Sequence, residues 1–249
     1  MAGEVARRDL HVAATDGDVR GFLGLLQEDP YLLEEVSFAC SRNLLHIAAM
    51  RGQVGIVREV LRINSQLARY LDSQKSSPLH IAAAQGNVEI VEELLLAAPE
   101  MCWWRDGQGM NPVHIAAMNG YVRILEVLIG VDPFPAAEKL DRGQTVLHLC
   151  LKHRQVKAFQ LLVDKFGELV NVEDDDGEMV LHSAVRFRRE EEVQYLVENH
   201  TTYELPTNSK GKTVQQISRE SSQDTSVRID EILSNRVSYS GKPTGFAGE

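Results

Sequence analysis

The sequence predicts an all-α solenoid of about seven helix-turn-helix units joined by short hairpin tips. Six of the eight histidines lie at positions 11, 46, 80, 114, 148 and 182, so the spacing is 35 residues once and 34 residues four times. The stretch 77–95 contains two short amphipathic helices separated by a glycine. Neither helix is long enough to be stable alone in water, so neighbouring copies must cover their apolar faces.

This stretch shows why each unit forms two helices. Ser77 is a good N-cap, and Pro78 suits the first helical position because its φ is already helical and it lacks an N–H. Gly86 tolerates the left-handed conformation that ends the inner helix, and Asn87 opens the outer helix. One face of the outer helix carries Ile90, Val91, Leu94 and Leu95, while Glu89, Glu92 and Glu93 face water.

The residues around each histidine recur in the other units. Leu45-His46-Ile47-Ala48-Ala49 is nearly repeated by Leu79-His80-Ile81-Ala82-Ala83 and by Val113-His114-Ile115-Ala116-Ala117. A period of 33 to 34 residues with this signature is typical of ankyrin repeats. The predicted domain spans 3–236, with units near 8–37, 38–71, 72–105, 106–139, 140–173, 174–207 and 208–236, and 237–249 is predicted to be a flexible tail.

Hairpin tips between units are predicted from a turn residue eight positions before the histidine position. These residues are Asp72, Asp106, Asp174 and Asn208, and Gly109, Gly177 and Gly211 follow three residues later. The fifth unit is one residue out of register, with Asp141-Arg142-Gly143.

Several units depart from the pattern. Arg154 and Arg188 stand where glycine ends the other inner helices, which predicts less regular turns there. Glu190 and Glu192 replace apolar residues of the sixth outer helix and predict looser packing. The first unit, with an inner helix starting just before His11, and the last, which has Gln216 in place of histidine, are predicted to be polar caps.

Composition narrows the class of function. The net charge is −10, which argues against a nucleic-acid partner and against an anionic membrane surface. Three widely separated cysteines fit a reducing compartment, no export or lipid signal is visible, and the longest apolar runs are far shorter than the ~20 residues of a membrane helix. We therefore expect a cytoplasmic chain that reaches a membrane only through a missing C-terminal segment or a membrane-bound partner.

No catalytic or metal-binding motif stands out, so we expect a non-enzyme with no cofactor, no metal and no small-molecule substrate. Successive packed helices lie ~8–10 Å apart, too far for the repeat histidines to share a zinc ion, which holds each ligand nitrogen at ~2.0–2.1 Å. We expect each ring to hydrogen-bond the backbone of an adjacent turn instead. Cys150 and His153 are expected to be a packed thiol and a neighbour rather than a nucleophilic pair.

The acidic run 173–176 is expected to form a solvated hairpin tip, with one functional alternative left open. Calcium binding is disfavoured because the run lacks the spaced oxygen ligands and closing Glu of an EF-hand loop. A charged contact for a basic partner segment is the remaining alternative.

Partner-binding residues are expected where the sequence varies while the frame stays constant. In ankyrin folds the hairpin tips and the exposed side of the inner helices line one concave groove, so the residues four and five after each histidine should face a partner. We also single out one residue of the pair Trp103-Trp104, expecting the other to be buried between repeats, and Phe187 as energetic anchors. The predicted binding residues are Met50, Arg51, Gln85, Trp104, Gln108, Met110, Met118, Asn119, Arg142, Lys152, His153, Asp175, Asp176, Arg186 and Phe187, with Ala84 equivalent to Met50.

Three further segments resemble one group of ankyrin proteins. They are 98–106, beginning Ala-Pro-Glu-Met-Cys; 141–150, Asp-Arg-Gly-Gln-Thr-Val-Leu-His-Leu-Cys; and 172–177, Val-Glu-Asp-Asp-Asp-Gly. With the repeats they resemble plant proteins of the accelerated-cell-death and bian-da kind, whose repeats precede a multi-pass membrane domain. The resemblance covers roughly residues 8–218 and implies a role in immune signalling, although the membrane domain is absent from this sequence.

The predicted function is therefore non-catalytic protein binding through the concave groove, in plant immune signalling. The alternative is a cytosolic assembly or gating module of a larger channel-like membrane protein. We expect Arg186→Glu combined with Phe187→Ala to weaken partner capture and to leave the melting curve nearly unchanged.

Overall fold

The fold class is confirmed by a computed structural model, which describes residues 2–39, 42–199, 207–220 and 227–234. Within those ranges the chain is helical, and the β pairing found there is one isolated bridge between Thr207 and Thr213. The chain divides into two compact units, Met1–Ala136 and Ala137–Glu249. The predicted tail 237–249 lies outside the described residues.

Unit 1 contains the first four repeats. Its helices are α1 (Ala2–Asp16), α2 (Val19–Glu28), α3 (Leu32–Ala39), α4 (Leu44–Arg51), α5 (Val54–Ile63), α6 (Pro78–Gln85), α7 (Val88–Ala97), α8 (Pro112–Asn119) and α9 (Val122–Val131). Short 3-10 helices at Ser65–Arg69 and Pro99–Trp103 lead from the outer helices to the next tip, and another at Phe134–Ala137 follows α9. The inner helices α4, α6 and α8 pack side by side, and the outer helices α5, α7 and α9 form a second layer.

Unit 2 continues the same plan. Its helices are α10 (Val146–His153), α11 (Val156–Lys165), α12 (Val180–Arg186), α13 (Glu190–Asn199) and α14 (Val214–Glu220), with 3-10 helices at Asp141–Gly143 and Gly167–Asn171. The inner helices α10, α12 and α14 pack in that order, and α11 packs against α13. Residues 227–234 are also helical, as expected for the degenerate last unit.

His46 and His80 stabilise the tight turns before α4 and α6, as expected, whereas His11 of the first repeat is exposed. The Nδ1 atom of His80 accepts the Ser77 backbone N–H at 3.2 Å, and its Nε2 lies 2.9 Å from the Trp104 carbonyl oxygen. His46 bonds Asn43 and Ser76 in the same way, and burial lowers the pKa of both rings. Because Nδ1 of His80 accepts a backbone N–H and its Nε2 faces a carbonyl oxygen, Nε2 of this neutral ring carries the proton and donates it.

The predicted start of the first repeat is wrong. Helix α1 begins at Ala2, nine residues before His11, and His11 is exposed. Arg8 stands at the position that Ser77 occupies in the third repeat, so no N-cap side chain marks a helix start there. The first helix is therefore 15 residues long, compared with eight for α4 and α6.

The expected irregular turn after α10 is also wrong. Arg154 takes φ 61° and ψ 38°, nearly the conformation of Gly52 and Gly120 at the equivalent position. Arg188 takes φ 56°. Of the two helices that lack the glycine, α10 keeps eight residues and α12 is shortened to seven. Packing of the two layers imposes the left-handed turn even on arginine, at a local cost of about 1–2 kcal/mol per residue.

The sixth outer helix has the predicted break in its apolar stripe, with Glu192 in the buried layer. Glu192 stands at the position of Ile90 and Ile124, and only 3% of its surface is exposed. Its Oε1 atom has no hydrogen-bond partner among the described residues, and burial raises the pKa of this carboxyl group. Glu190 is half-buried and lies 3.5 Å from Arg228. The apolar stripe is therefore interrupted, although Val193 and Leu196 remain buried.

Two kinds of feature are absent from the described ranges. None of the helices there is long and apolar enough to cross a membrane. No group of three or more His, Cys, Asp or Glu side chains there could hold a metal ion.

Candidate functional site

Each regular hairpin tip is closed by one Asx side chain. Asp106 Oδ1 accepts the backbone N–H groups of Gln108 at 2.8 Å and Met110 at 2.9 Å. The same pair of bonds forms at three other tips, from Asp72, Asp174 and Asn208. The turn residues predicted from sequence are therefore confirmed, and they hold each tip in one conformation.

The fifth tip lacks this brace. Leu140 occupies the equivalent position, and its N–H and the Gln144 carbonyl still close the turn at 2.8 Å. Arg142 and Gly143 both take positive φ, 62° and 68°. Asp141 lies one residue too late for its side chain to replace the missing Asx bonds, which explains why the turn residues of the fifth repeat are out of register.

Neighbouring tips within each unit are joined by backbone hydrogen bonds. In unit 1, Gly107 N donates to Gln74 O at 2.7 Å, and a Cβ on Gly107 would stand only 2.9 Å from that oxygen. In unit 2, Asp175 N donates to Arg142 O at 3.1 Å, and Ser209 N donates to Asp176 O at 3.2 Å. The tips therefore form a continuous rigid edge within each unit.

The ends of the inner helices lie beside the bases of these tips. Arg42 Nη1 approaches Met50 Sδ at 3.8 Å, and Lys212 Nζ lies 2.7 Å from Glu220 Oε1. Both pairs are eight residues apart and repeat with the period of the chain. We call the equivalent surface of each unit its recognition face: in unit 1 it comprises Arg42, Ser76, Met110, Met50, Ala84 and Met118, and in unit 2 it comprises Gln144, Glu178, Lys212, Lys152, Arg186, Phe187 and Glu220.

Exposure separates this face from the frame of each helix. In α6 the frame residues Leu79, His80, Ala82 and Ala83 are buried, whereas Ala84 and Gln85 are exposed. Exposed positions also include Arg51, Lys152, His153, Arg186 and Phe187, while Met50, Met118 and Asn119 are half-buried. Asn119 bonds the Ile115 carbonyl oxygen through Nδ2 at 2.9 Å, so its amide is engaged along its own helix.

The tip residues predicted to bind a partner also lie at accessible places. Gln108, Arg142, Asp175 and Asp176 are exposed, and Met110 is half-buried at the base of its tip. The exposure of Asp175 and Asp176 fits the interpretation of the acidic run as a solvated hairpin tip. Asp174 in the same run closes the turn and is half-buried.

In unit 1 the face carries one ion pair, between Arg42 Nε and Asp72 Oδ2 at 3.1 Å. Burial by itself would raise the pKa of Asp72, but the backbone N–H groups of Ser76 and Gln74, together with Arg42, outweigh it and lower the pKa. Asp72 is thus a buried, ionised brace, and the exposed remainder of this part of the face is neutral.

In unit 2 the face is charged and internally paired. Glu178 is 7% exposed and binds Arg186 through both carboxylate oxygens, while Asn208 Nδ2 donates to its Oε1 at 3.2 Å. Burial would raise the pKa of Glu178, but the hydrogen bonds and charge of Arg186 outweigh it and lower the pKa. This pairing overturns the expectation that Arg186→Glu leaves the melting curve unchanged, because the substitution places a second carboxylate against a buried one.

The tryptophan prediction is wrong, because both rings are exposed, Trp103 by 41% and Trp104 by 47%. Trp103 Nε1 donates to Asp132 Oδ2 at 2.8 Å, so its ring lies over the end of α9. Buried positions at this turn belong to Met101 and Cys102 instead. The 3-10 helix Pro99–Trp103 turns these two inward and ends before the second tryptophan.

Cys150 is fully buried, and burial raises the pKa of its thiol, as expected for a packed residue. His153 is exposed at the end of the same helix. A buried protonated thiol is a poor nucleophile. The arrangement therefore lacks the thiolate that covalent chemistry needs.

Sequence reasoning missed the pairs of opposite charge across the recognition face. Glu178 and Arg186 are eight residues apart, and so are Lys212 and Glu220, with the signs reversed one repeat later. This spacing of opposite charges at equivalent repeat positions is visible in the sequence once the repeats are aligned.

Comparison with protein families gives one clear result. The profile described as "Ankyrin repeats (3 copies)" matches residues 10–102 and 113–209. The profile described as "Ankyrin repeats (many copies)" matches residues 79–129. No curated protein sequence was matched.

Solved structures show the same fold. The ankyrin repeat domain of Bcl-3, described as a unique member of the IkappaB protein family, is 20% identical over 91% of this chain and 97% of that chain, with a TM-score of 0.76. The human ASB11 ankyrin repeat domain is 19% identical over 95% and 99%, with a TM-score of 0.69.

A third similar chain comes from the complex of the predatory endopeptidase Bd0816 from Bdellovibrio bacteriovorus with the immunity protein Bd3460. It is 23% identical over 75% of this chain and 96% of that chain, with a TM-score of 0.64. These identities support a shared fold.

Proposed function

Because the chain belongs to the ankyrin-repeat family, whose members are generally protein-interaction modules, we propose that it binds a protein partner through the recognition face. One observation carries the proposal: in α4, α6, α8, α10 and α12 the frame residues are buried, while the residues that follow them are accessible and differ from repeat to repeat. A surface that varies on a constant frame is suited to specific recognition. No catalytic family is indicated by the matches.

The two parts of the face suit different partner chemistry. Met110, Met118 and Ala84 give unit 1 a neutral surface with adaptable methionines. In unit 2, Arg186 and Glu178 are already paired, whereas Lys152 makes no salt bridge within the described ranges. Lys152 and Phe187, which is 37% exposed, are therefore two residues of unit 2 that a partner can engage without breaking an existing pair.

The test uses affinity capture from the source organism with quantitative identification of the captured proteins. The face variant is Lys152→Glu combined with Phe187→Ala, which leaves Arg186 and Glu178 in place. The matched control is Lys157→Glu, an exposed lysine on the outer helix α11.

We expect the face variant to lose at least tenfold of the captured partner while the control retains it, with both melting curves close to that of the unmodified protein. Equal capture by the face variant and the control would contradict recognition through this part of the face.

For the biological setting we propose cytoplasmic immune signalling in a plant, supported by the resemblance of the segments 98–106, 141–150 and 172–177. The competing role is a module of a larger channel-like membrane protein. The longer reading frame distinguishes the two, because several apolar segments of about 20 residues after position 249 would favour the membrane protein.

A further inference from the structure

A second groove lies between α1 and α2, outside the recognition face. It has a volume of about 480 Å³ and is lined by residues including Asp9, Val12, Asp16, Gly24, Leu25 and Glu28. It is open to solvent, and 48% of the Val12 surface is exposed. None of the residues that line this groove belongs to the recognition face.

The groove is formed by the helix faces that point away from the core. Asp9, Val12 and Asp16 follow the i, i+3, i+7 spacing of one face of α1, and Gly24 and Glu28 are four residues apart on α2. The opposite faces bury Leu10 and Phe22 completely, where α1 packs on α4 and α2 packs on α5. The groove is therefore formed by two neighbouring helices, like the surface of α4 and α5 that α1 and α2 cover.

Charge distinguishes this surface from the buried ones. Its lining contains four carboxylates, from Asp9, Asp16, Asp18 and Glu28, and no Lys, Arg or His. The Asp18 carboxylate also caps α2, accepting the Gly21 N–H at 2.9 Å. None of the four forms a salt bridge within the described ranges. The groove thus combines an apolar floor with an uncompensated acidic rim.

We infer that this groove binds a cationic amphipathic helix of a protein partner. Apolar side chains of such a helix would contact Val12 and Leu25, and its Lys or Arg side chains would reach the carboxylates on both sides. Gly24 has no side chain, so a helix backbone can approach closely there. A second copy of the same surface is disfavoured, because four carboxylates would face four others.

Two glycines give the experiment a matched pair of variants. A Cβ placed on Gly24, or on Gly130 in α9, meets no atom within 4 Å. Gly24→Gln would therefore fill the groove without disturbing the core or changing the charge, while Gly130→Gln makes the same change on another helix.

The probe is a labelled 18-residue helical peptide with Leu and Ala on one face and Lys on the flanks. A peptide with Glu in place of Lys is the charge control, and binding to the full chain is followed by fluorescence anisotropy at low and high salt. We expect the Lys peptide to bind at least tenfold more tightly than the Glu peptide, and to weaken as salt is raised. Gly24→Gln should lower its affinity at least tenfold, and Gly130→Gln should leave it unchanged.

Three outcomes would overturn the inference. The first is equal affinity for the two peptides, and the second is unchanged affinity of Gly24→Gln, which would indicate non-specific attraction to an acidic protein. The third is self-association of the unmodified protein that Gly24→Gln abolishes in sedimentation equilibrium, because the occupant would then be a second copy. Capture by the Lys152→Glu, Phe187→Ala variant tests only the proposal that a partner binds the recognition face, so the two proposals can fail independently.

Discussion

Unit 1 and unit 2 have the same arrangement of helices but satisfy the local rules of helix formation to different degrees. In unit 1, Gly52, Gly86 and Gly120 end the inner helices, and Ile90 and Ile124 fill the outer layer. In unit 2, Arg154 takes the left-handed turn and Glu192 occupies the buried apolar position. The recognition face differs as well, being largely neutral in unit 1 and paired by charge in unit 2.

This difference teaches that stacking, rather than local preference, decides the backbone of a repeat. Arg154 adopts the glycine conformation at the turn where α10 and α11 pack against each other. The local cost is distributed over a small number of positions, so the repeat tolerates it. Swapping residues between equivalent positions of the two units tests this interpretation.

The largest effect is expected at the buried outer-helix position. Ile90→Glu should lower the free energy of unfolding by about 3 kcal/mol, because it places an unpaired charge in an apolar layer. Glu192→Ile should raise it by about 2 kcal/mol at pH 7 for the opposite reason. Urea unfolding followed by circular dichroism measures both, and Glu191→Ile, at an exposed neighbouring position, is the control.

The pH dependence of this swap has a defined sign. Burial raises the pKa of Glu192 above its ordinary 4.5. To smaller extents, Arg189 lowers this pKa and Glu191 raises it. Cys150 faces Glu192 from α10. The protonated carboxyl group stabilises the fold fully at pH values below the pKa of Glu192 in the unfolded state. This stabilisation is lost as the pH rises through the pKa of Glu192 in the folded state. The advantage of Glu192→Ile should therefore shrink as pH falls from 7 towards 4. An advantage independent of pH would show that the carboxyl group does not titrate in the core.

The next effect concerns the histidine frame that both units share. His80→Ala should lower the free energy of unfolding by about 2 kcal/mol, because it leaves the Ser77 N–H and the Trp104 carbonyl without their partner. His11→Ala, at the exposed histidine of α1, should change it by less than about 0.5 kcal/mol. Equal losses for the two variants would contradict the assignment of His80 as a backbone brace.

The same histidine predicts acid sensitivity. Burial lowers the pKa of His80 in the folded state below 6.5. The contribution of His80 to the free energy of unfolding is therefore complete above pH 6.5 and is lost as the pH falls from 6.5 through the lowered pKa. The difference between the unmodified protein and His80→Ala should therefore decrease between pH 7 and pH 5.

The smallest effect is expected at the end of the inner helix. Arg154→Gly should raise the free energy of unfolding by about 0.5 kcal/mol, because relief of the left-handed strain exceeds the entropy that glycine loses on folding. Gly52→Arg should lower it by a similar amount, since a Cβ there meets only Asn87 Nδ2, at 3.4 Å. Thermal unfolding of the two variants measures both changes, and a stabilised Gly52→Arg would contradict the strain at Arg154.

Repetition made most of the frame predictable from sequence. A period of 34 residues placed the inner helices, the Asx-braced tips and the buried histidines, and Glu190 and Glu192 indicated an interrupted apolar stripe. Local signals failed where a neighbouring element decides the outcome. The turn after α10 and the exposure of both tryptophans depend on what packs against them, which the local sequence does not show.

By itself the sequence determined the fold class, the period and the variable positions, because each follows from spacing within one repeat. Only the tertiary structure decided which variable residues are available to a partner. Arg186 is bound to Glu178 and Asn119 to its own helix, whereas Lys152 and Phe187 remain accessible. The physical reason is that hydrogen bonds and ion pairs between a tip and a helix depend on three-dimensional distances, which a linear pattern does not contain.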